Sequence, residues 1–92
     1  MLAERMRELR VAKGMSQVDL ARKISVSKQS VSNWENDNIQ PSIDMLTRMA
    51  DCLSVSTDYL LGRDDRQYIE VQGLSAEQLA HVQQIIDDIR HP

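Results

Sequence analysis

The sequence has 92 residues, of which 41% are hydrophobic and 27% charged, with a formal net charge of −3 at pH 7. That length holds one compact domain with at most a short appendage, which excludes enzymes that need a separate substrate domain, and the composition excludes a disordered chain. With no Phe, one Trp and two Tyr, the core must be built from aliphatic residues and methionine, and a core this small is marginal enough to favour oligomerisation.

The elements follow from one recurring local pattern: an apolar residue, a Ser, and a second apolar residue four places after the Ser. The Ser hydroxyl caps free backbone N–H groups, and the flanking apolar pair staples the incoming chain to the first turn. A first helix over about 2–13 carries the stripe Leu2, Met6, Leu9 and stops at Gly14, which suits a left-handed position. Met15-Ser16…Leu20 starts a second helix over 16–24, with Asp19 placed for a capping box. Val26-Ser27…Val31 starts a third, over 27–36. Pro41-Ser42…Leu46 starts a fourth, over 42–53. Val55-Ser56…Leu60 starts a fifth, over 56–61, which stops at Gly62. A polar linker, 63–74, follows, in which Gln67-Tyr68-Ile69-Glu70-Val71 has the composition of an extended segment. Leu74-Ser75…Leu79, with Gln78 as the capping-box partner, starts a sixth helix over 75–90. The expected organisation is a unit over 1–62, a linker over 63–74 and a C-terminal helix within 75–92.

Charge is uneven. Residues 1–34 carry seven basic and three acidic side chains, 35–61 one and five, and 62–92 three and six. A basic front on an acidic body is compatible with a nucleic-acid partner and equally with an ordinary solvated surface. The opening Met1-Leu2-Ala3-Glu4-Arg5 is charged too early for a secretory signal, no apolar run has the length of a membrane span, and the single Cys52 fits a reducing compartment. A soluble cytoplasmic protein without membrane contact is expected.

Only Ser25 and Val26 separate the second and third helices, which forces a sharp crossing, with Ala21 at the close approach. On the third helix Val31 and Trp34 share one edge, while Lys28, Gln29, Ser32 and Asn33 lie about 200° away on a 100°-per-residue wheel. An apolar edge bound to the core leaves the opposite face displayed. That face has one cation and two amides able to donate and accept together, the groups that read adenine and guanine edges; the bland alternative is a solvated helix face.

The run Ser16-Gln17-Val18-Asp19-Leu20-Ala21-Arg22-Lys23-Ile24, then Val26-Ser27 and Val31-Ser32-Asn33-Trp34-Glu35-Asn36, resembles the Cro/C1-type helix-turn-helix family, also called the XRE family of regulators. The similarity continues through Pro41-Ser42, Leu46, Ala50-Asp51, Leu53-Ser54-Val55-Ser56 and Asp58-Tyr59-Leu60-Leu61, about residues 2–62. The resemblance implies an all-α fold: a five-helix lambda-repressor-like DNA-binding domain, here with an extra C-terminal helix, whose third helix enters the major groove of double-stranded DNA. It implies that Gln17 meets phosphate, that Ser27 caps the third helix near the backbone, that Gln29, Asn33 and Ser32 face base edges, and that Lys28 meets a base or a phosphate. Arg10 resembles the family Arg that pairs with a Glu, here Glu35, and sits close to phosphate; the other reading is a purely structural ion pair between helices one and three. Asn38 lies in the loop expected to follow the DNA backbone. Ser25 and Asp37 stand where the family usually has Gly, and the loop Asp37-Asn38-Ile39-Gln40 lacks the usual basic residue, which implies fewer phosphate contacts.

In the last helix Leu79, Val82, Ile86 and Ile89, with Ile85 beside them, form a narrow seam. It suits packing on its own domain, self-association across a two-fold axis, or a partner protein. His81 and His91 have no ligand-type neighbour at metal spacing, Cys52 falls in a core pattern, and Asp87-Asp88 reads as a solvated pair. No cofactor, metal or catalytic constellation is expected. The expectation is a homodimeric repressor on a palindromic operator. The alternative is an antitoxin-like or anti-repressor-controlled regulator whose last helix binds another protein.

Overall fold

A computed structural model describes all 92 residues and is entirely helical. The helices are α1 (Leu2–Ala12), α2 (Gln17–Lys23), α3 (Lys28–Glu35), α4 (Ile43–Leu53), α5 (Thr57–Leu60) and α6 (Ala76–Arg90). Every helix after α1 begins at the expected serine. Ser16, Ser27, Ser42, Ser56 and Ser75 each accept a hydrogen bond from the backbone N–H three residues on. At Ser16 and Ser75 the bond is reciprocated: the Asp19 carboxylate and the Gln78 amide oxygen each accept from the backbone N–H of their serine, at 2.9 Å in both cases. Two of the four free donors at those helix starts are thereby satisfied.

The stops are as uniform. After each of α1–α5 the chain turns through a left-handed residue: Gly14, Ser25, Asp37, Ser54 and Gly62. In each case its N–H bonds the carbonyl three residues back and the next N–H bonds the carbonyl five residues back, as in Gly14 to Val11 with Met15 to Arg10, and Ser25 to Arg22 with Val26 to Ala21. This is the Schellman closure. Ser25, Asp37 and Ser54 hold it at φ of 61°, 58° and 58° without being glycine, a conformation that costs an L-residue about 1–2 kcal/mol. At Ser25 and Ser54 it persists because the residue that follows is anchored: Val26 and Val55 both pack against the core.

The core draws Met6 from α1, Leu20 and Ala21 from α2, Ile24 from the α2 terminus, Val31 and Trp34 from α3, Leu46, Met49, Ala50 and Leu53 from α4, and Leu60 from α5. Ala21 is almost fully buried, so α2 and α3 cross where the smallest side chain of α2 sits. Cys52 is half-buried against the same cluster. Arg5 ties the start of the linker to this unit. It donates to the Tyr59 and Asp64 carbonyls, pairs with Asp65 at 2.7 Å, and lies 4.2 Å from the centroid of the Tyr59 ring.

Gln67–Val71 forms no strand. It runs between the α4–α5 side of the helical unit and α6, so that Tyr68 and Ile69 line clefts on both sides. No residue of α6 is buried. The molecule is accordingly elongated, 44 × 24 × 23 Å with a Cα radius of gyration of 15.2 Å, against about 12 Å for a compact chain of this length. Leu79, Val82 and Ile86 of α6 are half-buried and line a cleft with the linker rather than joining the core. No helix is long and apolar enough to cross a membrane.

Candidate nucleic-acid interface

The displayed face of α3 is fixed from behind. Val31 is fully buried and Trp34 nearly so, which locks the rotation of α3 about its axis and turns Lys28 and Gln29 to solvent, with Ser32 and Asn33 half-buried beside them. Gln29 Nε2 donates to Asn33 Oδ1 at 3.1 Å. One turn apart on the helix, the two amides form a single unit. Gln29 Oε1 remains free as an acceptor, and one Gln29 Nε2 hydrogen and both Asn33 Nδ2 hydrogens remain free as donors. Such a set complements an adenine edge, which presents one acceptor and one donor side by side.

Neighbouring bonds hold the flanks. The Ser27 hydroxyl accepts from the Ser30 backbone N–H at 3.1 Å and lies 3.0 Å from the Ser30 hydroxyl, so Ser27 caps α3 while remaining exposed. Asn36 Nδ2 donates to Ser32 Oγ at 3.3 Å. The Asn33 carbonyl accepts from the Asn38 and Ile39 backbone N–H groups, which folds the loop after α3 back along the helix and leaves the Asn38 side chain exposed. Ser30 and Asn36 were not singled out from the sequence. The signal was available, since each stands three or four residues from a Ser it binds.

Arg10 forms the ion pair with Glu35 given by the structural reading of this residue. It is buried, and each of its three side-chain nitrogens donates to the protein: Nε to Glu35 Oε2 at 2.7 Å, Nη2 to Glu35 Oε1 at 2.9 Å, and Nη1 to the Met15 carbonyl at 2.7 Å. Its hydrogen bonds to Glu35 raise its pKa further, against the opposing effect of burial. A bidentate pair with this little exposure, 10% and 3% of the two side chains, ties α1 to α3 and pins the α1–α2 turn through Met15. Gln17 joins the same network, its Nε2 donating to Glu35 Oε1 at 3.3 Å. Gln17 is half-buried, so its amide has one foot on the ion pair and its other polar atoms at the surface. The sequence marked Gln17 and Glu35 separately; only the crossing of α1, α2 and α3 brings them together.

Arg7, Lys13, Arg22, Lys23 and Lys28 are exposed on this side of the sequence and supply the positive charge of residues 1–34. No three His, Cys, Asp or Glu side chains come together at metal distance.

Residues 6–60 match the helix-turn-helix family. The chain is 38% identical over 64 residues to the HTH-type transcriptional regulator ImmR of Bacillus subtilis, a stretch that covers 70% of this chain and 50% of ImmR. It is 28% identical over 100 residues to the cryptic phage CTXphi transcriptional repressor RstR of Vibrio cholerae, covering 98% of this chain and 89% of RstR. Among solved structures, the P22 c2 repressor in complex with a synthetic operator superposes with a TM-score of 0.67 at 31% identity, over 70% of this chain and 97% of that one. The chain spans half the length of ImmR and less than two thirds of the length of two further HTH-type transcriptional regulators of Bacillus subtilis, YobD and YonR.

Proposed function

The chain belongs to the Cro/C1-type helix-turn-helix family of DNA-binding transcriptional regulators, which are not enzymes, and from that premise we propose that it is a sequence-specific repressor that binds a palindromic operator in double-stranded DNA as a homodimer. The observation that carries the reading is the orientation of α3. Its Val31–Trp34 edge is in the core and its linked Gln29–Asn33 amides are turned outward. In this reading α3 lies in the major groove. Gln29 and Asn33 meet base edges with Ser32 beside them, and Lys28 meets a base or a phosphate. Gln17, Ser27 and Asn38 follow the sugar-phosphate backbone, and Arg10 acts indirectly, by holding Gln17 and α3 in place through Glu35. Exposed Arg and Lys side chains of the front supply the sequence-independent attraction. Repression is by occupancy of the operator, in the cytoplasm and without a cofactor.

A two-fold operator needs two α3 helices about 34 Å apart, and residues 63–92 are the means of setting that separation, with residues 1–62 as the DNA-binding unit. Leu79, Val82, Ile85, Ile86 and Ile89 of α6 are the apolar material for an interface. A second reading, an antitoxin-like or anti-repressor-controlled regulator, is favoured by one observation: Ile85 and Ile89 of α6 are exposed, an apolar edge that another protein can cover.

Selection from random duplex DNA, run with the native chain and with Gln29→Ala, tests the first reading. The native chain should yield a two-fold symmetric site. Gln29→Ala should relax base preference at one position per half-site, a loss of about 1–3 kcal/mol of discrimination there. Unchanged affinity and unchanged preference in the variant would sink the assignment of α3. A chain that stays monomeric on its own yet forms a tight complex with the product of a neighbouring gene supports the second reading.

A further inference from the structure

Every polar tie between the helical unit and the arm that follows it lies within residues 63–65. The Arg63 and Asp64 N–H groups donate to the Asp58 carbonyl and close the turn after α5. The other ties come from Arg5. Its Nη1 donates to the Asp64 carbonyl at 3.5 Å as well as to the Tyr59 carbonyl, and its Nη2 donates to Asp65 Oδ1 at 2.7 Å. From Arg66 onward no hydrogen bond or ion pair reaches residues 1–62.

Arg5 is sheltered where it does this. Its side chain is 17% exposed, against 85% for Asp65, and its guanidinium lies 4.2 Å from the centroid of the Tyr59 ring. A guanidinium is planar and its donors point in fixed directions. Two carbonyls, a carboxylate and an aromatic face around one such group fix the direction in which the chain leaves α5. Met1 adds to the grip, because its Sδ occupies the space that a side chain at Gly62 would take.

The same helix holds the face proposed to read DNA. α1 packs on both α3 and α5. Five residues on from Arg5, about 8 Å along the helix axis, Arg10 binds Glu35 of α3. The two arginines stand about 140° apart around that axis. One short rod therefore grips α3 on one flank and the root of the arm on another, and the direction of the arm relative to α3 follows from both. Duplex geometry makes that direction matter. Each base pair inserted between two half-sites shifts one of them by about 3.4 Å and turns it by roughly 35° about the duplex axis. Two α3 helices joined through rigid roots cannot follow both changes, whereas loose roots let them.

We infer that Arg5 is a positioning residue for operator recognition: by clasping residues 59–65 it fixes the half-site spacing that a pair of chains accepts, without itself reading bases. This rests on the homodimer of the proposed function, joined through residues 63–92, and deepens it by assigning the residue that sets its geometry.

The test uses the full chain and duplexes that carry the selected half-site as an inverted repeat, with the centre at its selected length or changed by one or two base pairs. The readout is the ratio of dissociation constants between altered and selected spacings at one salt concentration. The native chain should lose about tenfold or more on a change of one base pair. Arg5→Ala should lose less than about threefold, with base preference inside each half-site unchanged. Arg7→Ala removes the same charge from an exposed position of α1, and should weaken binding at every spacing alike while keeping the native ratio. Asp65→Arg sets like charges together from an exposed site, so it keeps the fold and decides the matter if Arg5→Ala loses its helical circular dichroism. It should relax the ratio in the same direction. Relaxation in a folded Arg5→Ala alone also supports the inference and assigns the hold to the carbonyl bonds. A native ratio in both variants, or equal relaxation in Arg7→Ala, overturns the role of Arg5 and leaves the homodimer standing. So does a native pair of chains that binds every spacing equally. A native chain that binds single half-sites as a monomer, whatever stands beside them, overturns the homodimer and this inference together.

Discussion

The five-helix unit and the α6 arm are written in the same local code and have different fates. Both α2 and α6 begin with a reciprocal capping box, and α6 is longer, 15 residues against 7. Yet α2 contributes Leu20 and Ala21 to a closed core, and α6 buries nothing. A helix of about 15 residues with good caps is marginal in water by itself. The difference shows that caps decide where a helix begins, and only packing decides how firmly it holds. The α3 surface is presented rigidly because the core stands behind it. The orientation of α6 depends on the linker, on Arg5 and its partners, and on whatever covers Ile85 and Ile89.

The largest expected effect is in the rigid region. Glu35→Ala leaves the Arg10 guanidinium buried without its carboxylate and should lower stability by about 3–5 kcal/mol, read as a reduced denaturant midpoint. It also frees Gln17, so DNA affinity measured under folding conditions should fall although neither Glu35 nor Arg10 touches solvent appreciably. A loss below about 1 kcal/mol would show that the ion pair is not the tie between α1 and α3.

A matched pair of cap deletions sharpens the contrast. Ser16→Ala and Ser75→Ala each remove one cap, worth about 1 kcal/mol to the helix concerned. In the core unit that cost is global, and Ser16→Ala should lower the melting temperature. In the arm it is local: Ser75→Ala should leave the main transition in place and instead speed amide hydrogen exchange in the first turns of α6. Equal shifts of the main transition in the two variants would show that α6 folds as one unit with the rest.

The smallest effect separates the two boxes by pH. Asp19 has its pKa lowered, chiefly by the backbone hydrogen bond from Ser16 and then by the Ser16 side chain. A lowered value means that the stabilisation is complete above the usual carboxylate pKa of about 3.9 and is lost as the pH falls through the lower folded-state value. Gln78 does not titrate. Acidification below about pH 4 should therefore loosen the first turn of α2 while leaving that of α6 unchanged, which exchange rates corrected for their intrinsic pH dependence will show. Parallel loosening of both turns would mean that Asp19 does not govern its box.

The helix starts were legible because each is a local event: a serine, a staple, and a hydrogen bond spanning three residues. The reversal positions Ser25 and Asp37 were legible only through the family resemblance, as departures from glycine. Ser54, at φ 58°, was not foreseen, since nothing in Leu53-Ser54-Val55 distinguishes a left-handed serine until Val55 is seen anchored on the core. The face of α3 could be read from the angular separation of Val31 and Trp34 from Gln29 and Asn33. The Arg10–Glu35 pair was legible through the family resemblance; its burial and the bond from Arg10 to the Met15 carbonyl were not, because both depend on how α1, the α1–α2 turn and α3 meet.

Sequence alone determined the helices, their order, their polar and apolar faces and the crossing of α2 and α3, because caps, turns and periodicity act over a few residues. Tertiary structure alone decided that the Arg10–Glu35 pair is buried, that Gln17 hangs from it, and that Gln67–Val71 makes almost no backbone hydrogen bonds beside α6. Those outcomes depend on which surfaces meet after folding, and burial and hydrogen-bond satisfaction are settled by the whole chain at once.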